Sequence, residues 1–382
     1  MKRIAFLLAA LLCALPLTLF AGAEELPGLT APSAILMEKT TGTVLYEHNA
    51  DMKYEPASVT KVMTLLLVLE AIDGGSLSWD DTVTASAHAV SMGGSQIWLK
   101  EHEQMTVHDM VKAVSVVSAN DCAVALAEHL AGTEEAFVQR MNQRAAELGM
   151  NNTHFVNCTG LPAEGHLTTA RDIAIMSREL ILNHPAIREF TTIWMDTLRD
   201  GAFQLSNTNK LIYYYEGATG LKTGSTDAAL YCLSATAERD GMELIAAVMH
   251  APTSKDRFES AKALLNYGFA SYALLSVWPD GPIPPVRVEL GESETVQPVP
   301  ARACTVLVEK AKAGAVSTEL VLPELLEAPV VEGEHIGALE VYVDGQQVDA
   351  VELVAAEGVG RLTVGKIFRR FLGTLLLWGN DL

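Results

Sequence analysis

The chain is short of positive charge: 27 lysines and arginines face 47 aspartates and glutamates in 382 residues, a formal net charge of −20. That balance argues against nucleic acid as a partner. Metal chemistry has as little support. The ten histidines form no H-E-x-x-H pair and the cysteines form no C-x-x-C, so no metal site and no cofactor are expected. Cys122, Cys158, Cys232 and Cys304 match no disulfide framework for a domain of this size, and free thiols are expected, with Cys122 filling core space. The chain also has no internal repeat and no long low-complexity linker.

What basic charge there is gathers at the ends. Lys2 and Arg3 precede an apolar run over 4–20, and Ala21-Gly22-Ala23 offer small residues for cleavage before Glu24. Residues 1–23 therefore read as a secretory signal rather than a retained anchor, the run being short and broken by Pro16. At the other end, over 361–382, Ile367, Phe368, Phe371, Leu372, Leu375 and Leu376 share one helical face. Lys366, Arg369, Arg370 and Gly373 share the opposite face. This segment is too short and cationic to span a bilayer but suits a helix lying in an anionic membrane surface, with Trp378 at headgroup level. Each basic side chain there adds about 1 kcal/mol. Both ends together predict an exported protein held at the outer face of the cytoplasmic membrane.

Between them the pattern changes once. Residues 24–276 carry a hairpin pattern at 34–38 and 43–47 around Thr40-Thr41-Gly42. Helical patterns follow at 58–73, 106–117, 122–130, 133–148, 169–182 and 255–267, and strand patterns at 96–99, 211–215, 230–237 and 243–250. Strands at both ends with helices between, and no regular βαβ alternation, predict an α/β domain on an antiparallel sheet. After Trp278-Pro279, prolines punctuate short valine-rich runs, and Asp344-Gly345 marks a hairpin, so 277–360 reads as a small all-β domain.

The stretch that organises the larger domain is Pro56-Ala57-Ser58-Val59-Thr60-Lys61, followed by an apolar run over 62–69. The spacing puts hydroxyl and amine one helical turn apart on one face. Ser58 would sit where helix-start amides meet a developing oxyanion, and Lys61 where apolar surroundings disfavour its charge and make it a base. Alone, the same residues describe a capping serine and a solvated lysine. Ser118-Ala119-Asn120 and Lys222-Thr223-Gly224 follow in order, and this ordered triplet is that of the active-site serine enzymes that react with penicillin.

With Gly94-Ser95-Gln96, Thr159-Gly160-Leu161-Pro162, Thr168-Thr169-Ala170-Arg171-Asp172 and Gly220-Leu221 through Ser225-Thr226, the mature chain resembles the low-molecular-mass penicillin-binding proteins, serine-type D-alanyl-D-alanine carboxypeptidases. The resemblance implies an α/β catalytic domain of the penicillin-binding and serine β-lactamase type. Its antiparallel sheet would carry flanking helices and a helical subdomain, with a small all-β domain and a membrane-anchoring helix behind it. It implies Ser58 as nucleophile, Lys61 as general base and Ser118 as proton relay between Lys61 and Lys222. Asn120 would orient the acyl chain, Lys222 and Thr223 would hold the terminal carboxylate, Gly224 would admit the substrate, and the Ser58 and Ser225 amides would hold the oxyanion. The implied partners are peptidoglycan pentapeptides and β-lactam inhibitors. The alternatives are a class A-like β-lactamase and a penicillin-binding sensor or scaffold that does not turn over. Thr208 in Asn207-Thr208-Asn209 stands where some family members carry a carboxylate-binding arginine. Glu179, in an E-x-x-L-N stretch like that of class A β-lactamases, reads as an exposed helix residue, and His166 as a structural loop histidine.

Overall fold

The computed structural model describes residues 26–279 and 281–368. The expected signal over 1–23 lies outside the described residues, as does 369–382 of the expected membrane helix. The hairpin forms from β1 (Ser33–Glu38) and β2 (Val44–His48). Its turn is closed by the buried Glu38 carboxylate, which accepts from the amides of Thr40 and Thr41 at 2.8 and 2.7 Å. The helices α1 (Lys61–Asp73), α2 (Val107–Val116), α3 (Asn120–Ala131), α4 (Glu134–Glu147) and α5 (Ala170–Asn183) follow. Thr106, Thr133 and Thr169 cap α2, α4 and α5, each side chain accepting from an otherwise orphaned amide in the first turn. The chain then runs through β3 (Ala218–Thr226), β4 (Leu230–Arg239), β5 (Met242–Ala251) and α6 (Ser254–Ser271).

The sheet is antiparallel in the order β2-β1-β5-β4-β3. The N-terminal strand β1 pairs with β5, Ser33 opposite Met249, so the chain's two strand-forming regions meet in one sheet. Alternate residues serve opposite faces. Ile35, Met37, Ile245, Ala247 and Met249 join the core beneath α1 and α5, while Leu36, Leu244, Ala246 and Val248 pack against Phe258, Leu264 and Leu265 of α6. Burial on both faces is why residues 244–249 of β5 read as an unbroken apolar run. Val62, Met63, Leu65, Leu66, Val68 and Leu69 of α1 are all buried. Together they contribute on the order of 10 kcal/mol of transfer free energy, which offsets the cost of burying Lys61 in the first turn.

Two strand expectations are corrected. Residues 96–99 form no strand, because the Ile97 and Leu99 amides are drawn to the Asp121 carboxylate at 3.1 Å each instead of to a neighbouring strand. Residues expected as a strand at 211–215 form a one-turn helix, Leu211–Tyr214. Asn209 Oδ1 accepts from the Leu211 amide at 3.1 Å, a local side-chain bond that starts a turn where the apolar pattern alone suggested a strand.

From Trp278 to residue 361 the described chain is β-structure with one short 3-10 segment, and residues 364–368 are helical. A four-stranded antiparallel sheet contains His335–Val343 and Gln346–Ala355 as neighbours. Their turn places Asp344 at φ 51° and Gly345 at φ 75°, the double left-handed geometry that a two-residue hairpin needs. Tyr272–Ser276, directly after α6, pairs with Thr305–Glu309, so the end of the larger domain is stitched into the smaller. The four cysteines described are buried free thiols.

Candidate active site

Ser58 lies in a 3-10 turn, Ala57–Thr60, that feeds α1; its side chain is not a helix cap. Ala57 is forced to φ 47°, a conformation a residue with a Cβ adopts at a cost. Two glycines make room for this bend. Gly160, at φ +83°, comes so near that an added Cβ would stand 1.8 Å from the Ala57 carbonyl oxygen. Gly224 of β3 lies on the other side, where a Cβ would be 2.7 Å from Pro56 O and 2.9 Å from the Ser58 and Val59 amides. The serine is thus wedged between a sheet edge and the 157–161 loop.

Lys61 is fully buried and makes no ion pair among the described residues. Its Nζ donates to Thr159 O at 2.7 Å and to Ser58 Oγ at 3.0 Å. Burial pushes its pKa down to about 7, partly opposed by the nearby Cys158 sulfur and Asp121 carboxylate. The loop that supplies Thr159 is itself fixed. Asn157 Oδ1 accepts from the Gly160 amide at 2.7 Å, and Thr64 Oγ1 donates to Cys158 O at 2.6 Å. His166 ties the same region together. Its Nδ1 accepts from the Val156 amide, which assigns the proton to Nε2, and Nε2 donates to Thr60 Oγ1 at 2.8 Å. Burial pushes this imidazole down to about 4, so it is a neutral strut beside Lys61.

The second motif turns sharply at Ser118, φ 65°. Asn120 is held by its own amide to Ser95 O at 2.7 Å and by Nδ2 to Gly93 O at 2.6 Å. Asp121, wholly buried, receives the Ile97, Leu99 and Cys122 amides. Ser118 Oγ and Asn120 Oδ1 are buried with no hydrogen-bond partner in the described structure. Orphaned buried polar atoms are rare in folded proteins, and two here fall in one three-residue turn, which marks it as a place for reacting groups.

On β3, Lys222 is buried and its Nζ donates to Thr223 O at 3.0 Å. Its pKa is held well below the ordinary lysine value by burial and by the charges of Lys61 and Arg257. Thr223 Oγ1 donates to Thr208 Oγ1 at 2.7 Å. Ser58 and Lys61 are therefore in direct contact, and Thr223 and Thr208 are joined. Ser118 Oγ bonds neither lysine.

A family model described as D-alanyl-D-alanine carboxypeptidase matches residues 21–253, and one described as the C-terminal domain of penicillin-binding protein 5 matches residues 280–361. The chain belongs to the D-alanyl-D-alanine carboxypeptidase family. The D-alanyl-D-alanine carboxypeptidase DacF of Bacillus subtilis is 39% identical over 348 residues, covering 90% of this chain and 89% of the relative. The crystal structure of penicillin-binding protein 5 from Haemophilus influenzae superposes with a TM-score of 0.75 at 31% identity, covering 87% of this chain and 98% of that one. Penicillin-binding protein D2 from Listeria monocytogenes in its ampicillin-bound form aligns at 37% identity and TM-score 0.58, over 63% of this chain and 98% of that chain.

Within this carboxypeptidase fold, one residue escaped the sequence reading. Arg257, buried in the first turns of α6, donates from Nη1 to Gly224 O at 3.1 Å and Cys232 O at 3.4 Å. Burial lowers it to about 10, and its Nε has no partner. A lone arginine on an amphipathic helix carries no signal in sequence, because its significance comes from lying behind the Lys222-Thr223-Gly224 strand. Glu179 needs correcting: it is half-buried rather than exposed, and Arg144 bridges it to Glu70 at 2.7 Å on each side. Glu70 is nine residues along α1 from Lys61, roughly 13 Å of helix, so Glu179 belongs to the far end of that helix. Glu70, Glu179 and His184 place ligand atoms within 4.8 Å of one another, but the Arg144 guanidinium already pairs with both carboxylates.

The two glycines give a test. Gly160→Ala adds a Cβ where the Ala57 carbonyl stands, in a left-handed conformation costing about 1–2 kcal/mol by itself. Thermal unfolding is expected several degrees lower, with labelling of Ser58 by fluorescent penicillin slowed at least tenfold. Unchanged labelling would show that the bend at Ala57 is not held from this side.

Proposed function

We propose that the chain is a serine D-alanyl-D-alanine carboxypeptidase that removes the terminal D-alanine from peptidoglycan stem peptides and is acylated by β-lactams. The observation that carries it is the buried Lys61 amine, 3.0 Å from Ser58 Oγ and with a pKa near 7. A neutral amine at that distance is a competent base for a hydroxyl.

Ser58 Oγ attacks the carbonyl carbon between the two D-alanines while its proton passes to Lys61. The Ser58 and Ser225 amides take the oxyanion. The intermediate collapses, the C–N bond breaks, and the proton moves from Lys61 through Ser118 to the departing amine, freeing D-alanine. Water then attacks the Ser58 ester, gives its proton to Lys61, and releases the shortened peptide with Ser58 restored. Asn120, with Oδ1 unpaired, orients the acyl chain by accepting from its amide. Gly224 keeps the strand edge open to the peptide backbone.

Lys222 and Thr223 receive the terminal carboxylate. In the free site burial and, after it, the neighbouring Lys61 and Arg257 charges disfavour the charged form of Lys222, and the incoming anion opposes this by favouring the ammonium form. Thr208 supplies no charge but accepts from Thr223, and the positive field expected of an arginine there comes from Arg257, through the Gly224 carbonyl of the same strand. A class A β-lactamase reading loses its water activator, since Glu179 is tied up with Arg144 away from Ser58.

Residues 24–276 are the catalytic domain, 277–360 a spacer or docking domain, 1–23 an export signal and 361–382 a peripheral membrane helix, so that the enzyme works at the outer face of the cytoplasmic membrane. The exposed Val364, Ile367 and Phe368 support the last assignment, an apolar face that the described domain leaves uncovered.

Ser58→Ala is expected to abolish both covalent penicillin labelling and D-alanine release from a diacetylated tripeptide; labelling that persists removes the nucleophile assignment. Because Lys61 acts as a base only when neutral, the acylation rate constant should rise with pH through about 7 and level off above it. A flat profile between pH 5 and 9 would contradict Lys61 as base. Removing 361–382 should abolish co-sedimentation with phosphatidylglycerol vesicles while leaving penicillin labelling intact, and undiminished sedimentation would rule out the anchor.

A further inference from the structure

Trp98 is the most exposed tryptophan the structure describes, at 67%. A single exposed apolar side chain needs no explanation, but this one is presented on strained backbone, φ 61°. The strain is held from both sides. The flanking Ile97 and Leu99 amides bond Asp121, and Arg199 donates from Nη1 to Ile97 O at 2.8 Å while its Nε is anchored on Glu103 at 2.8 Å. The indole itself makes no hydrogen bond or ring contact among the described residues.

This segment is continuous with the candidate active site. Asn120 grips Gly93 O and Ser95 O, and Asp121, the next residue, grips the backbone on either side of Trp98. Two residues, Gln96 and Ile97, separate Ser95 from Trp98, no more than about 10 Å of chain. On its far side Trp98 borders an open basin of about 570 Å³, with Lys100, Glu101, His102, Glu103 and Arg199. Its formal charges cancel, so selection there rests on the indole face rather than on charge.

We propose that Trp98 is the binding platform for the donor peptide upstream of the cleaved bond, its face taking the aliphatic stem of a long side chain that precedes the two D-alanines. Asn120 aligns the acyl chain, Asp121 fixes the platform in register with it, and Arg199 stops the platform from relaxing. The inference rests on the carboxypeptidase reading and extends it to the substrate's other end.

The test measures D-alanine release by the intact chain and its Trp98→Ala and Trp98→Phe variants. The donors are acetyl-D-alanyl-D-alanine and a pentapeptide with lysine before the two D-alanines. The platform requires kcat/KM for the pentapeptide to fall roughly tenfold in Trp98→Ala, carried by KM, and to recover in Trp98→Phe. The truncated donor and the rate of penicillin labelling should stay within about twofold, the spread of a lost contact that neither makes. Equal losses on both donors, or none on either, overturn it. Calorimetric titration of Ser58→Ala chain with the pentapeptide, with and without Trp98→Ala, separates the two ideas. Trp98-dependent binding alongside a wild-type chain that releases no D-alanine would sink the carboxypeptidase reading and leave the platform standing. Binding indifferent to Trp98 would sink the platform.

Discussion

An amine buried away from water and paired with no carboxylate must find its hydrogen bonds elsewhere, and Lys61 finds two: the Thr159 carbonyl and the Ser58 hydroxyl. The surrounding architecture serves that pair. The apolar body of α1 offsets the burial of the amine, Gly160 and Gly224 let two backbone segments close around Ser58, and Asn157, Thr64 and His166 fix the loop that carries Thr159. Water admitted there would restore the ammonium. Dryness around Lys61 is therefore the constraint that explains why so many local polar groups are spent on holding a loop.

Charge is rationed across the same site. Burial lowers three basic groups, Lys61, Lys222 and Arg257; the charges of Lys61 and Arg257 lower Lys222 further, and the buried Asp121 carboxylate partly opposes the lowering of Lys61. Asp121 in turn is committed to three backbone amides, so it organises the loop and does not neutralise the lysines. The result is a site in electrostatic deficit, short of negative charge. A substrate that ends in a free carboxylate supplies it, and a peptide continuing past that position does not, which gives a physical reason for cleavage at the chain end.

Much of this was legible in sequence because the motifs are local. A serine and lysine one turn apart, a turn residue before Asn120, and a glycine after Lys222-Thr223 each impose their geometry over a few residues, and the capping threonine at 106 did the same for α2. The strands of the sheet were equally plain where residues alternate between two cores. The failures came where a side chain bonds backbone at a distance. Asp121 pulled 97–99 out of strand geometry, and Asn209 bent 211–214 into a helical turn. Neither bond has a hydrophobic period to announce it. Arg257 was invisible for the same reason, since only the fold brings α6 behind β3.

Thr208 answers to the same limit on charge. A guanidinium at the rim of the site would meet the substrate carboxylate directly but would also sit in water, where a surface ion pair is worth little. Arg257 lies behind the strand, out of solvent, where its charge is less screened and its donors hold Gly224 O and Cys232 O in place. Moving the cation inward trades a direct contact for a field that also stiffens the strand bearing Thr223. The hydroxyl pair Thr223–Thr208 then supplies directionality without adding a fourth basic group to a site that already buries three. A rim arginine added at 208 would raise the local positive charge further and push Lys61 and Lys222 towards their neutral forms, so the threonine fits a site that already draws its positive charge from within.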